Sequence, residues 1–181
     1  MSNLEPAALS PVPDLNQPLV RELETQFAAL QRGANWFYWI AGLSLVNSVV
    51  AVAGGAWGFI VGLGVTQFID AIANAAAKDL DGTAATVVKV IAFGIAVFIA
   101  MVVALFGMFA NKRHGWAFIV GLGLYVLDGL LFVLVGDWLS VGFHVFAGFG
   151  IFSGYVALRK LRELQAQVGS SKMPALAASD P

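Results

Sequence analysis

Trp57-Gly58-Phe59-Ile60-Val61-Gly62-Leu63-Gly64 returns later in the chain as Trp116-Ala117-Phe118-Ile119-Val120-Gly121-Leu122-Gly123, changed at one position. Each copy continues through apolar residues to one acid, Asp70 after 13 positions and Asp128 after 12. A tryptophan at the start, small residues along one helix face and an acid deep in an apolar run describe a membrane-crossing helix used twice.

The surrounding composition agrees. The 181 residues are 59% hydrophobic and 12% charged, whereas soluble domains carry about 25% charged residues. Mean hydropathy is +0.82, and several uncharged runs reach the ~20 residues needed to cross a bilayer core. The sequence therefore predicts an all-α integral membrane protein of an inner or plasma-type membrane. A net charge of −1 and no basic cluster with interleaved aromatics argue against a nucleic-acid partner. The absence of cysteine removes disulfides, thiolate metal sites and cysteine nucleophiles.

Taken in order, residues 1–18 hold four prolines and read as a disordered tail. Residues 19–33 place Leu19, Leu23, Phe27 and Leu30 on one face, which predicts a short amphipathic interfacial helix ending near Gly33. Residues 34–162 form the bundle, with five predicted spans: Trp36 to Gly54, Trp57 to Ala77, Thr86 to Ala110, Trp116 to Val135 and Trp138 to Leu158. Residues 163–181 read as a polar, mostly disordered tail. Spans one and two, then three and four, make two hairpins in parallel repeat, with a fifth helix added. Five crossings put the termini on opposite sides. Lys112-Arg113 and Arg159-Lys160-Arg162 then place the C-terminus in the cytoplasm and the N-terminus outside by the positive-inside rule; a four-span reading, with the first two segments as a re-entrant hairpin, would reverse the N-terminal side.

Gly58, Gly62 and Gly121 in the repeated helices, with Gly150 and Gly154 in the fifth, give small-residue faces on which helices pack closely in lipid. Such faces serve either the interior of the bundle or a homo-oligomer seam. The costly residues within the spans are Asp70, Asp128 and His144, with Gln67, Asn74 and Asn47 as neutral companions. Gln67, Asp70 and Asn74 share one helical face. Counting back from the nearest turns, the three ionisable groups lie roughly 9–12 Å below the same surface, so they are expected within mutual reach. Intramembrane acids pair and often mark function. A structural tie should tolerate Asn at Asp128, which keeps its shape and most of its hydrogen bonding; a proton site should lose its pH dependence.

Two histidines on opposite sides cannot build a multi-histidine metal site. No nucleotide-binding or zinc-protease motif is present, so no catalytic residue, metal or cofactor is assigned. The sequence leads first to a non-enzymatic accessory, scaffold or assembly subunit, partnered by the bilayer and by its own copies or a larger membrane complex. A small proton- or ion-coupled transporter using the Asp/Asp/His layer is the alternative.

Overall fold

The computed structural model describes residues 17–54 and 62–177, with side chains as far as Val168. Among them five helices follow in order: α1 (Gln17–Val52), α2 (Gly64–Ala77), α3 (Gly82–Asn111), α4 (Gly115–Val135) and α5 (Trp138–Ala177), with no strand. Four are long and apolar enough to cross a membrane: α1, α3, α4 and the Trp138–Val168 part of α5. The proline-rich tail to residue 16, Trp57 and Gly58 lie outside the described residues, as does most of the first copy of the repeated octapeptide.

The central element is α1, one unbroken helix of 36 residues, about 54 Å long. The amphipathic segment 19–33 is thus no separate interfacial helix, because α1 runs straight through Gly33. That glycine is there for contact, not termination: a Cβ on it would lie 2.4 Å from the Cα of Gly154. Gly inside a helix costs ~1 kcal/mol relative to Ala, and here it lets α1 and α5 touch backbone to backbone. Three residues on, Trp36 packs at Gly150 and edge-on against Phe146 at 5.3 Å. The descending order 154, 150, 146 against 33 and 36 makes α5 antiparallel to α1.

The same pairing explains why α5 continues through residues expected to be a tail. Leu158 and Leu161 share a core with Leu30, with Leu23 and Phe27 packed against it, and Leu164 is also buried. The apolar face of residues 19–30 therefore covers the end of α5. Against the other side of α1 lies α3, whose buried residues are all small: Ala92, Ala96, Ala100, Gly107 and Ala110. Gly107 sits beside Phe37 and Ala34 and Arg113, just past α3, lies over Phe27, so α3 is antiparallel to α1 as well.

Turns are set by local chemistry. Asp81 caps α3 by accepting from Ala84 N–H at 2.9 Å. Gly136, at φ 75°, closes α4 in the left-handed conformation, which glycine adopts without steric cost. Between α3 and α4, Arg113 takes φ 65°, unusual for a side-chain-bearing residue. It is held from both sides: its carbonyl accepts from Arg162 Nη2 at 3.0 Å, and its guanidinium lies 5.1 Å from the ring centroid of Phe27.

The second expected span is where the sequence misleads. Instead of a crossing helix from Trp57 to Ala77, the described helix is α2, 14 residues from Gly64, about 21 Å. Leu63 N–H donates to Ser44 Oγ (2.7 Å) and Ser48 Oγ donates to Asp70 Oδ2 (2.6 Å). Both chains advance together across these contacts, so α2 runs in the same sense as α1 and the two form no hairpin. Leu63 thus lies level with Ser44, and α2 runs from there alongside the second half of α1. With α1 antiparallel to α5, the start of α1 and the end of α5 lie at one end of the bundle. Among the described residues Arg21, Arg32, Lys112, Arg113, Arg159, Lys160 and Arg162 belong to that basic end; Asp79, Asp81 and Asp137 mark the opposite, acidic end.

Candidate functional site

A helix that starts inside a bundle exposes N–H groups with no intrahelical acceptor, which hydrocarbon cannot satisfy. For α2 the residue before the helix is Leu63, which has no side chain for the task. The acceptor comes from another helix. Asp128 on α4 takes Gly64 N–H on Oδ2 (2.7 Å) and Val65 N–H on Oδ1 (2.8 Å). The Asp128 carboxyl thus sits at the positive end of the α2 dipole. Gly64 fits because a Cβ there would meet the Phe132 ring at 2.7 Å. Gly62 passes close to Asn47, whose Nδ2 would lie 2.9 Å from an added Cβ.

Asp128 Oδ2 also lies 3.0 Å from Nε2 of His144 on α5. The other ring nitrogen, Nδ1, is 2.9 Å from the Ser140 carbonyl oxygen. A carbonyl can only accept, so Nδ1 carries a hydrogen. Nε2 faces a carboxylate oxygen that already accepts from Gly64. One proton must therefore lie on the Oδ2–Nε2 contact, held as imidazolium and carboxylate or as imidazole and carboxylic acid. The pair is buried on both sides and its ring is clamped. Tyr125 stacks on His144 at 4.5 Å and Phe132 tilts against it at 5.0 Å, while Gly129 leaves the room the imidazole occupies. At the start of α5, Asp137 accepts from Ser140 Oγ (2.6 Å) and Ser140 N–H (3.2 Å). These bonds hold the Asp137 carboxyl below its ordinary range, the Ser140 hydroxyl contributing most.

The expected three-residue layer thus divides. Asp128 and His144 meet directly. Asp70, six positions into α2, takes its hydrogen bond from Ser48 on α1 and is about 9 Å farther along the axis than Gly64. Gln67 has a buried Nε2 without a hydrogen-bond partner among the described residues. Asn74 lies partly buried on the same helix, and Asn47 is buried beside Gly62. Sequence reasoning missed Ser44, Ser48, Ser140 and Tyr125. Ser44, Asn47 and Ser48, at i, i+3 and i+4 inside an apolar run, were the signal for the first two.

Two apolar recesses flank the pair. Between α3 and α4, a crevice of about 440 Å³ is lined by Phe98, Val102, Phe106 and Leu127 and reaches Tyr125 and Asp128. Between α4 and α5, one of about 400 Å³ reaches His144 past Val126, Leu130 and Phe149. The small residues are spent inside the bundle: Gly121 receives the Phe37 ring, Gly150 receives Trp36 and Gly154 meets Gly33. Among the described residues no group of three or more His, Cys, Asp or Glu gathers as a metal site would require. Comparison with protein-family models, curated proteins and solved structures finds no match for this chain.

Proposed function

We propose that this is a non-enzymatic membrane protein acting as an accessory or assembly subunit, with Asp128–His144 as the tie that holds a half-helix inside the bundle. The observation that carries this is how Asp128 is used: its carboxylate engages Gly64, Val65 and His144 of its own chain. A group so engaged fixes a fold. The bilayer is the first partner. Since Gly150 and Gly154 are filled by α1, a seam with another copy or a larger complex falls to glycines that face open space, among them Gly94 on α3 and Gly123 on α4. Close helix approach in lipid needs such positions. The basic end faces the cytoplasm by the positive-inside rule, which puts both termini there.

Single cysteines at Gly94 and Gly123, oxidised in native membranes, test the seam, because the chain has no cysteine of its own. A discrete cross-linked product at either position supports it. Monomer at both, with no co-purifying membrane protein, contradicts the assembly role.

A second reading is favoured by one observation. The proton on the Asp128–His144 contact sits at the N-terminus of a half-helix, the arrangement on which several transporter folds build their binding sites. Here the protein would be a proton- or ion-coupled carrier. Proton flux into proteoliposomes that vanishes in D128N while the bundle stays folded selects this reading; flux equal to that of empty vesicles removes it.

A further inference from the structure

Outside the buried pair, one furrow combines a free cation, indoles and an apolar floor in a fixed order. It runs between α1 and α5, has a volume of about 440 Å³, and begins at Arg32 and Asn35. Trp36, Trp39 and Leu43 continue it along α1, while Phe143 and Phe146 close it from α5. Arg32, Trp36, Trp39 and Leu43 recur at helical spacing, so they share one face of α1. The furrow exists because Gly150 has no side chain. Trp36 sinks into that space and rests edge-on against Phe146, leaving a channel over the two rings.

Depth fixes what can lie there. Arg32 precedes Val52, the last residue of α1, by 20 positions, about 30 Å. That is the thickness of the hydrocarbon core, so Arg32 lies at headgroup level on the basic side. The furrow then descends about 16 Å from Arg32 to Leu43, through indoles and into Leu and Phe. Arg32 and Asn35 are exposed, and neither makes an ion pair or hydrogen bond among the described residues. A phospholipid presents the complementary order: phosphate, glycerol and ester, then acyl chain. A free phosphate would use only the first two residues.

We propose that this furrow is a specific site for one anionic phospholipid. Its phosphate lies on the Arg32 guanidinium and the Asn35 amide, and one acyl chain lies along Trp39, Leu43, Phe143 and Phe146. Guanidinium suits phosphate through its paired donors, and the other basic residues of that end raise the local concentration of anionic lipid. The site is independent of the accessory role and of the Asp128–His144 pair.

The test is native mass spectrometry of the full chain with phosphatidylglycerol or phosphatidylcholine, backed by quenching of tryptophan fluorescence by phosphatidylglycerol brominated on its acyl chain. We expect a saturable preference for phosphatidylglycerol. It should fall about fivefold in R32Q, in line with one basic contact, and stay unchanged in R21Q, which removes an exposed charge of the same helix outside the furrow. Quenching should resist excess inorganic phosphate. Equal losses in R32Q and R21Q would reduce the effect to bulk charge and overturn the site. So would equal binding of both lipids, or displacement by inorganic phosphate alone.

Discussion

Asp128 on α4 accepts the backbone N–H of Gly64 at 2.7 Å across 64 residues of sequence. This contact decides that the second apolar segment starts its helix inside the bundle. It also changes what Asn at position 128 must do. Asn offers one acceptor oxygen where the carboxylate offers two, so either Gly64 or Val65 then faces an amide NH2. D128N should destabilise the bundle by ~1–3 kcal/mol, the cost of a buried unsatisfied donor, and D128A by at least as much. Thermal unfolding in detergent checks this, with faster amide exchange at Gly64 or Val65 as the local sign. Wild-type stability in D128N would show the cap to be dispensable.

The proton on the Asp128–His144 contact is visible to NMR. Nδ1 beside the Ser140 carbonyl should show a bound hydrogen, and Nε2 should either bear the shared proton or accept it from Asp128. In D128N the Asn NH2 can donate to Nε2, which should become a plain acceptor. Nitrogen-15 shifts of His144 in both proteins measure the change; a wild-type Nδ1 without a hydrogen would contradict the assignment.

Gly33 and Gly154 should tolerate no side chain. G33A places a Cβ against backbone, which cannot rotate away, and overpacking of this kind costs about 1–3 kcal/mol. G42A and G142A, outside the proposed seam and with nothing within 4 Å, should leave the melting temperature unchanged or slightly raised. Equal effects at buried and outward glycines would contradict the α1–α5 contact.

Asp137 carries the pH dependence at the start of α5. Its folded pKa is lowered, chiefly by the Ser140 hydroxyl, so its contribution to stability is present above the unfolded value of ~3.9. That contribution is lost as pH falls through the lowered folded value. The window therefore lies below about pH 4, and the effect is small because the carboxyl is exposed. A carbon-13 titration of the Asp137 carboxyl should give a midpoint below that of an unperturbed aspartate, moving up in S140A. An unchanged midpoint in S140A would remove the hydroxyl as cause.

Long apolar runs bounded by Gly and charged turns made α3, α4 and the membrane part of α5 legible, because those helices need only their own periodicity. The meeting of Asp128 with His144 was legible too, since both lie close to turns that set their depth. The start of α2 was not. In the second copy Gly121-Leu122-Gly123 lies inside α4, whereas Gly62-Leu63-Gly64 leads into a helix start capped by Asp128 from α4, a partner invisible locally. Gly33 misled for a related reason: a glycine read alone signals an end, whereas its role depends on Gly154. Asp70 was grouped with the wrong partners because serines are cheap to bury and Ser48 drew no attention.

The central claim is that the chain crosses four times, with α2 a half-helix and both termini on one side. It is tested most directly by single cysteines at Glu24, Asp79 and Glu163, all exposed positions in a chain without native thiols. With an impermeant thiol reagent on intact cells, the account predicts labelling at Asp79 and protection at both Glu24 and Glu163 until the cells are opened. Labelling at Glu24 with protection at Glu163 would put the termini on opposite sides, restore a fifth crossing and contradict it.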